Sequence, residues 1–204
     1  MSEVSVQHKH SEGASHGHNA ALRVENLKLA MWLYLASEVV IFGVLIATYA
    51  VFRYNFPELV REAHEAVDIG LVGFNTFLLL GSSWAMVMGL RAIQRDDRQG
   101  FLRWIGLTIV LGTVFVALQG VEYTQLAHEN VAIYNSEFGM RFYAMTAFHG
   151  FHVIVGVLWA LYVWRNGYLS RYSSHNYLGV EAFGLYWHFV DVVWIFLFTL
   201  IYLI

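Results

Sequence analysis

The sequence contains no cysteine, which excludes a disulfide, a thiolate metal site and a Cys-x-x-Cys-His haem attachment. Proline is nearly absent: the single one, Pro57, lies outside every long apolar run. Helices broken by proline, with internal repeats around them, are the usual signature of pumps and transporters, and neither is evident. Charge is the third shortage. Asp, Glu, Lys and Arg together make 13% of the 204 residues, against about 25% in an ordinary soluble domain. The formal net charge of −3 gives no basis for nucleic-acid binding. What is there instead is apolar: 58% of residues are hydrophobic, 17% are aromatic, and the mean hydropathy is positive. These proportions define a membrane protein before any motif is considered.

The opening "MSEVSVQHKHSEGASHGHNAALRVENLK" is polar, mixed in charge and without the apolar centre of a secretion signal, so residues 1–28 are expected to stay as a flexible, His-rich tail. Five apolar segments follow, at about 29–52, 69–90, 103–122, 142–164 and 182–204, each near the ~20 residues needed to cross a bilayer as a helix. The expected fold is therefore all-α, a polytopic bundle of five transmembrane helices over residues 29–204. In the third segment "QGVEYTQLAHEN" has no proline to stop it and can carry the helix beyond the apolar stretch. With the N-terminus in the cytoplasm, that side holds Lys9, Arg23, Lys28, Arg91, Arg95, Arg98, Arg103, Arg165 and Arg171, and the other only Arg53, Arg61 and Arg141. The bias places the N-terminus inside and the C-terminus outside.

The ionisable residues inside these segments ask for a role, because each costs several kcal/mol (on the order of 2 to 4) unless it is paired or faces protein. At a rise of about 1.5 Å per residue, Glu38, Asp191 and His152 lie roughly 14, 13 and 18 Å in from the cytoplasmic end, so these three can meet. His188 is shallower, at roughly 9 Å, and Glu122 at roughly 28 Å is near the outer interface. Three readings compete. His149, His152 and His188 as haem or metal ligands would need a common depth or a second set of carboxylates at matching spacing, and neither is present. A proton or ion path would use the same acids and histidines. The plainest reading is a buried acid, Glu38, satisfied by a histidine of a neighbouring helix and fixing how the bundle packs. His8, His10, His16 and His18 of the tail are candidates for collecting protons or metal.

Five stretches carry a resemblance. "YWHFVDVVWIFLFTLIYL" is similar to the last transmembrane helix of subunit III of the haem-copper terminal oxidases, and "FHGFHVIVG" to that family's penultimate helix. "LYLASEVVIFG" resembles the helix bearing the family's buried glutamate, "FNTFLLLGSS" the next helix, and "LQGVEY" the outer end of the one after. Order and spacing match from about Leu29 to Ile204. The first two helices of the seven-helix form are missing, as in the shorter bacterial version.

The resemblance implies an accessory subunit of a respiratory oxidase in a bacterial cytoplasmic membrane. It implies no redox centre in this chain, haems and copper in partner subunits, direct contact with subunit I, and subunit II in the same complex. Phospholipids in a cleft, an oxygen route toward subunit I and support of proton uptake are implied with it. Carried over residue by residue, Glu38 matches the buried glutamate, His152 its histidine partner, and Glu122 the acid of the "EY" pair. His149, His188 and Asp191 are then structural polar groups, the last two packing and hydrogen-bonding within the fifth helix. Arg165, at the cytoplasmic end of the fourth helix, is a candidate for a lipid phosphate. "FHGFHVIVG" resembles the cytochrome c oxidases more than the quinol oxidases. A subunit-III-like protein of a nitric oxide reductase and a stand-alone proton-coupled transporter stand further off.

Overall fold

The computed structural model describes the backbone of residues 3–65, 69–128 and 137–204, and the side chains of 25–61, 69–126 and 138–204. The described chain is helical: α1 (Glu3–Asn55), α2 (Pro57–Glu65), α3 (Ile69–Gln94), α4 (Arg98–His128), α5 (Glu137–Tyr168) and α6 (Leu178–Phe198), the last running into a π-helical turn, Thr199–Leu203. Among the described residues the only β feature is an isolated bridge between Ser173 and Asn176. Five helical stretches are long and apolar enough to cross a membrane: Glu25–Asn55, Ile69–Gln94, Arg98–Leu126, Phe138–Tyr168 and Leu178–Leu203. This is a multi-pass membrane protein. The third stretch continues through "QGVEYTQ", as the absence of proline there allows. Pro57 stands at the first position of α2, where its missing N–H removes no helical bond. α1 begins at Glu3 and so takes in the polar segment set apart as a tail; the side chains of His8, His10, His16 and His18 lie outside the described residues.

The chain divides into two compact units, residues 1–38 and 39–204. In the second, α3 packs on α4 and α6, and α5 on α4 and α6. Lipid tails are as apolar as leucine, so burying apolar surface does not by itself hold such helices together; close contact and interhelical hydrogen bonds do. Trp187 of α6 shows how. It is fully buried because two glycines make room: a Cβ on Gly112 of α4 would come within 2.8 Å of its ring, and one on Gly156 of α5 within 2.6 Å. Its indole N–H donates to Ser82 Oγ of α3 at 3.0 Å. Two turns on, Trp194 repeats the bond to Thr76 Oγ1 of α3 at 2.9 Å. α6 is thus pinned to α3 by two buried indole donors, each satisfied by a hydroxyl.

At one end of the bundle the connections 95–97 and 169–177 are tied together. Asp97 caps α4, its carboxylate accepting from Gly100 N–H at 2.8 Å. Asp96, in the left-handed region at φ 56°, accepts from Ser174 N–H at 2.7 Å. Hydrogen bonds from the Ser174 side chain and backbone, with His175 nearby, hold the Asp96 carboxyl below its usual range. Arg98 donates through Nε to Gly167 O at 3.1 Å and through a second nitrogen to Tyr168 O, closing the last turn of α5. At the other end Arg53 of α1 does the same for the π turn, donating to Leu200 O at 3.0 Å and to Ile204 O.

Candidate functional site: buried polar groups of the bundle

Glu122 sits on the inward face of α4, 3% exposed. Gln119, one turn earlier, donates to its Oε2 at 2.6 Å, and Tyr202 of the π turn donates to its Oε1 at 2.8 Å. The π geometry adds a residue to the turn, and the turn it shapes holds Tyr202, like Ile201 beside it, buried. Tyr123 and Tyr143 complete the surround, their rings 5.0 Å apart, with Tyr143 OH donating to Tyr123 O at 3.3 Å. This acid is held by donors drawn from α4 and from the chain's far end.

His149 and His152 are neighbours on α5, and Phe42 of α1 lies edge-on to both, its ring centroid 6.4 Å from the first and 5.3 Å from the second. His152 Nδ1 donates to Phe148 O at 2.8 Å; a carbonyl can only accept, so this nitrogen carries the proton. His149 is packed as an aromatic ring: it stacks on Trp194 (5.0 Å, 27°) and meets the Phe115 ring edge-on (6.1 Å, 85°). Neither of its nitrogens has a hydrogen-bond partner among the described residues. His188 is half-buried and its Nδ1 is 2.6 Å from Ser83 Oγ of α3. Asp191, expected as a hydrogen-bonding group, accepts none among the described residues. The Ser83 hydroxyl, in contact with His188 Nδ1, also faces the Asp191 carboxyl.

Glu38 ends the first unit, with the Tyr34 phenol one turn before it facing its carboxylate, whereas His152 and Asp191 belong to the second. Arg165 is exposed at the end of α5; the arginine that binds backbone there is Arg98. Asn75, Gln119 and Tyr202 take part in the buried polar groups and were not anticipated. Gln119 and Tyr202 could have been sought as donors for Glu122, but nothing in a linear pattern singles out Asn75. Among the described residues no group of three or more His, Asp or Glu side chains stands close enough to hold a metal ion.

A bundle with five membrane-spanning helices and polar groups at single interior positions defines a multi-pass membrane protein. Comparison with known proteins makes this specific. The chain matches the cytochrome c oxidase subunit III family over residues 4–204, and it belongs to that family. It is 37% identical to a cytochrome c oxidase subunit 3 of Synechocystis over 196 residues, covering 96% of this chain and 82% of that protein. It is 34% identical to a cytochrome c oxidase subunit 3 of Bacillus sp. PS3 over 185 residues (91% and 89% covered), and 33% identical to a quinol oxidase subunit 3 of Bacillus subtilis over 202 residues (94% and 97%). As a member of a terminal-oxidase subunit family, the chain works within a multi-subunit oxidase.

Proposed function

We propose that the chain is the non-catalytic subunit III of a bacterial cytochrome c oxidase, bound to subunit I alongside subunit II in the cytoplasmic membrane, with its N-terminus inside. The observation that carries this reading is the match to the subunit III family along residues 4–204, which takes in all five membrane-spanning stretches. Its work is support of subunit I: stabilising it, keeping proton uptake going during turnover, and lining a phospholipid-filled cleft through which oxygen reaches it. Haem and copper belong to the partner subunits. Cytochrome c is favoured as donor by the "FHGFHVIVG" stretch and by the similarity to the Synechocystis protein. Oxygen uptake by the purified complex tests it: turnover with reduced cytochrome c supports the reading, and turnover with quinol alone overturns that part of it.

Within this reading Glu38 shares a proton with His152, since a lone carboxylate in lipid is driven neutral and a histidine at similar depth offers a partner. A neutral acid of this kind reacts with a hydrophobic carbodiimide. Labelling lost in Glu38→Gln, with assembly intact, supports the pair; labelling unchanged in that variant contradicts it. Arg165 holds a lipid phosphate at the inner surface, and Arg165→Ala is expected to lower the phospholipid retained by the purified complex. The tail histidines collect protons for subunit I, so that removing residues 1–20 slows turnover chiefly above neutral pH.

A further inference from the structure

Three buried side chains of the second unit stand apart from every hydrogen-bond network described so far: Asn75 of α3, His149 of α5 and Asp191 of α6, each 3% exposed or less. Asn75 Oδ1, both nitrogens of His149 and both carboxyl oxygens of Asp191 have no partner among the described residues. Two of the three side chains border one aromatic pair. Asn75 Nδ2 donates to the backbone oxygen of Phe115 at 3.2 Å. The Phe115 ring is edge-on to Trp194 at 4.9 Å, and Trp194 is the ring on which His149 stacks. Trp194 in turn donates to Thr76, the residue after Asn75. Asp191 precedes Trp194 by one turn on α6, a rise of about 4.5 Å.

The chemistry of these atoms specifies what would satisfy them. Asn75 Oδ1 is an acceptor, and a neutral imidazole offers one donor and one further acceptor. Acceptors outnumber donors, so the missing partner must itself donate hydrogen bonds. An anion or an apolar molecule does not meet that need. A metal ion would want three or more ligating side chains together, and no such group stands among the described residues. Water donates two hydrogen bonds and accepts two, and in interiors it typically makes about three to buried polar groups. We propose that the interior of α3–α6 binds ordered water at the level of Phe115 and Trp194, bridging Asn75 Oδ1 to a ring nitrogen of His149. His149 is then both a packed ring and a water ligand, which accounts for a histidine where phenylalanine would stack as well. The inference concerns this chain's own interior and is independent of the donor the oxidase uses.

Electron cryo-microscopy of the native complex, at a resolution that shows ordered water, tests it directly. The expected result is a density peak within about 2.7 to 3.2 Å of both Asn75 Oδ1 and a His149 nitrogen. Dry contact at that level, or rotamers in which these atoms bond protein groups, overturns it. A second readout uses infrared difference spectra in H₂¹⁸O: the stretch of weakly bonded internal water is expected in the native complex and lost in Asn75→Leu/His149→Phe, which keeps the stack on Trp194. An unchanged water band in that variant contradicts the assignment. If the variant does not assemble, the native map decides alone.

Discussion

Glu122 and Asp191 are both carboxylic acids, each 3% exposed, inside the same bundle. Glu122 accepts from Gln119 and from Tyr202 at 2.6 and 2.8 Å, whereas Asp191 has no such pair of close donors and faces the Ser83 hydroxyl that contacts His188. The difference follows from where each lies. Glu122 is beside the π turn, which carries the Tyr202 phenol inward. Asp191 is in the middle of α6, where α3 presents the Ser83 hydroxyl to it and to His188 together. Equal burial therefore does not mean equal dependence on partners. A donor that loses its acceptor is left stranded, whereas an acid solvated by water can be replaced by an apolar side chain together with its water.

The largest effect expected from this contrast is at Glu122. Glu122→Leu strands the Tyr202 hydroxyl and the Gln119 amide and is expected to cost about 3 to 5 kcal/mol, read as early thermal release of this chain from the purified complex. Next comes the packing that both acids share. Gly156→Ala drives a methyl into the Trp187 ring and is expected to cost about 1 to 3 kcal/mol in the same assay. Tyr202→Phe removes one donor while leaving the acid its other, at about 1.5 kcal/mol. Asp191→Leu is expected to change stability by less than about 1 kcal/mol; a loss as large as that of Glu122→Leu would erase the contrast. The smallest effect is at the exposed Asp96. Its carboxyl is held below the usual range by Ser174, so its contribution is complete above the ordinary aspartate pKa and is lost as pH falls through the lowered value. Asp96→Asn is expected to remove that part of the acid sensitivity and to leave stability near neutral pH little changed, which melting at a series of acidic pH values checks.

Much of this arrangement can be read from residues alone. Five apolar runs of the right length yield five spanning helices, and the lack of a proline after Gln119 correctly extends the third. Depth counting along helices placed Glu122 toward one end and Asp191 in the middle, because a helix rises by a fixed amount per residue. It could not supply partners. Tyr202 reaches Glu122 across 80 residues of chain through a π turn, and a change of helical register has no compositional mark. Arg98 closes the end of α5 because the 95–97 turn, with Asp96 at positive φ, brings the first residue of α4 under those carbonyls. Neutral side chains such as Asn75 escaped notice since only ionisable groups draw attention in an apolar run.

The central claim is that this chain supports oxygen reduction without taking part in it. The most direct test is the initial rate of oxygen consumption by a fully assembled complex carrying Glu38→Gln, followed through sustained turnover. The account predicts a near-normal initial rate, with any defect emerging as slower proton uptake or faster loss of activity. An initial rate lowered about a hundredfold, equivalent to about 2.7 kcal/mol of barrier, in a complex with intact haem spectra would place Glu38 in the catalytic proton path and contradict it.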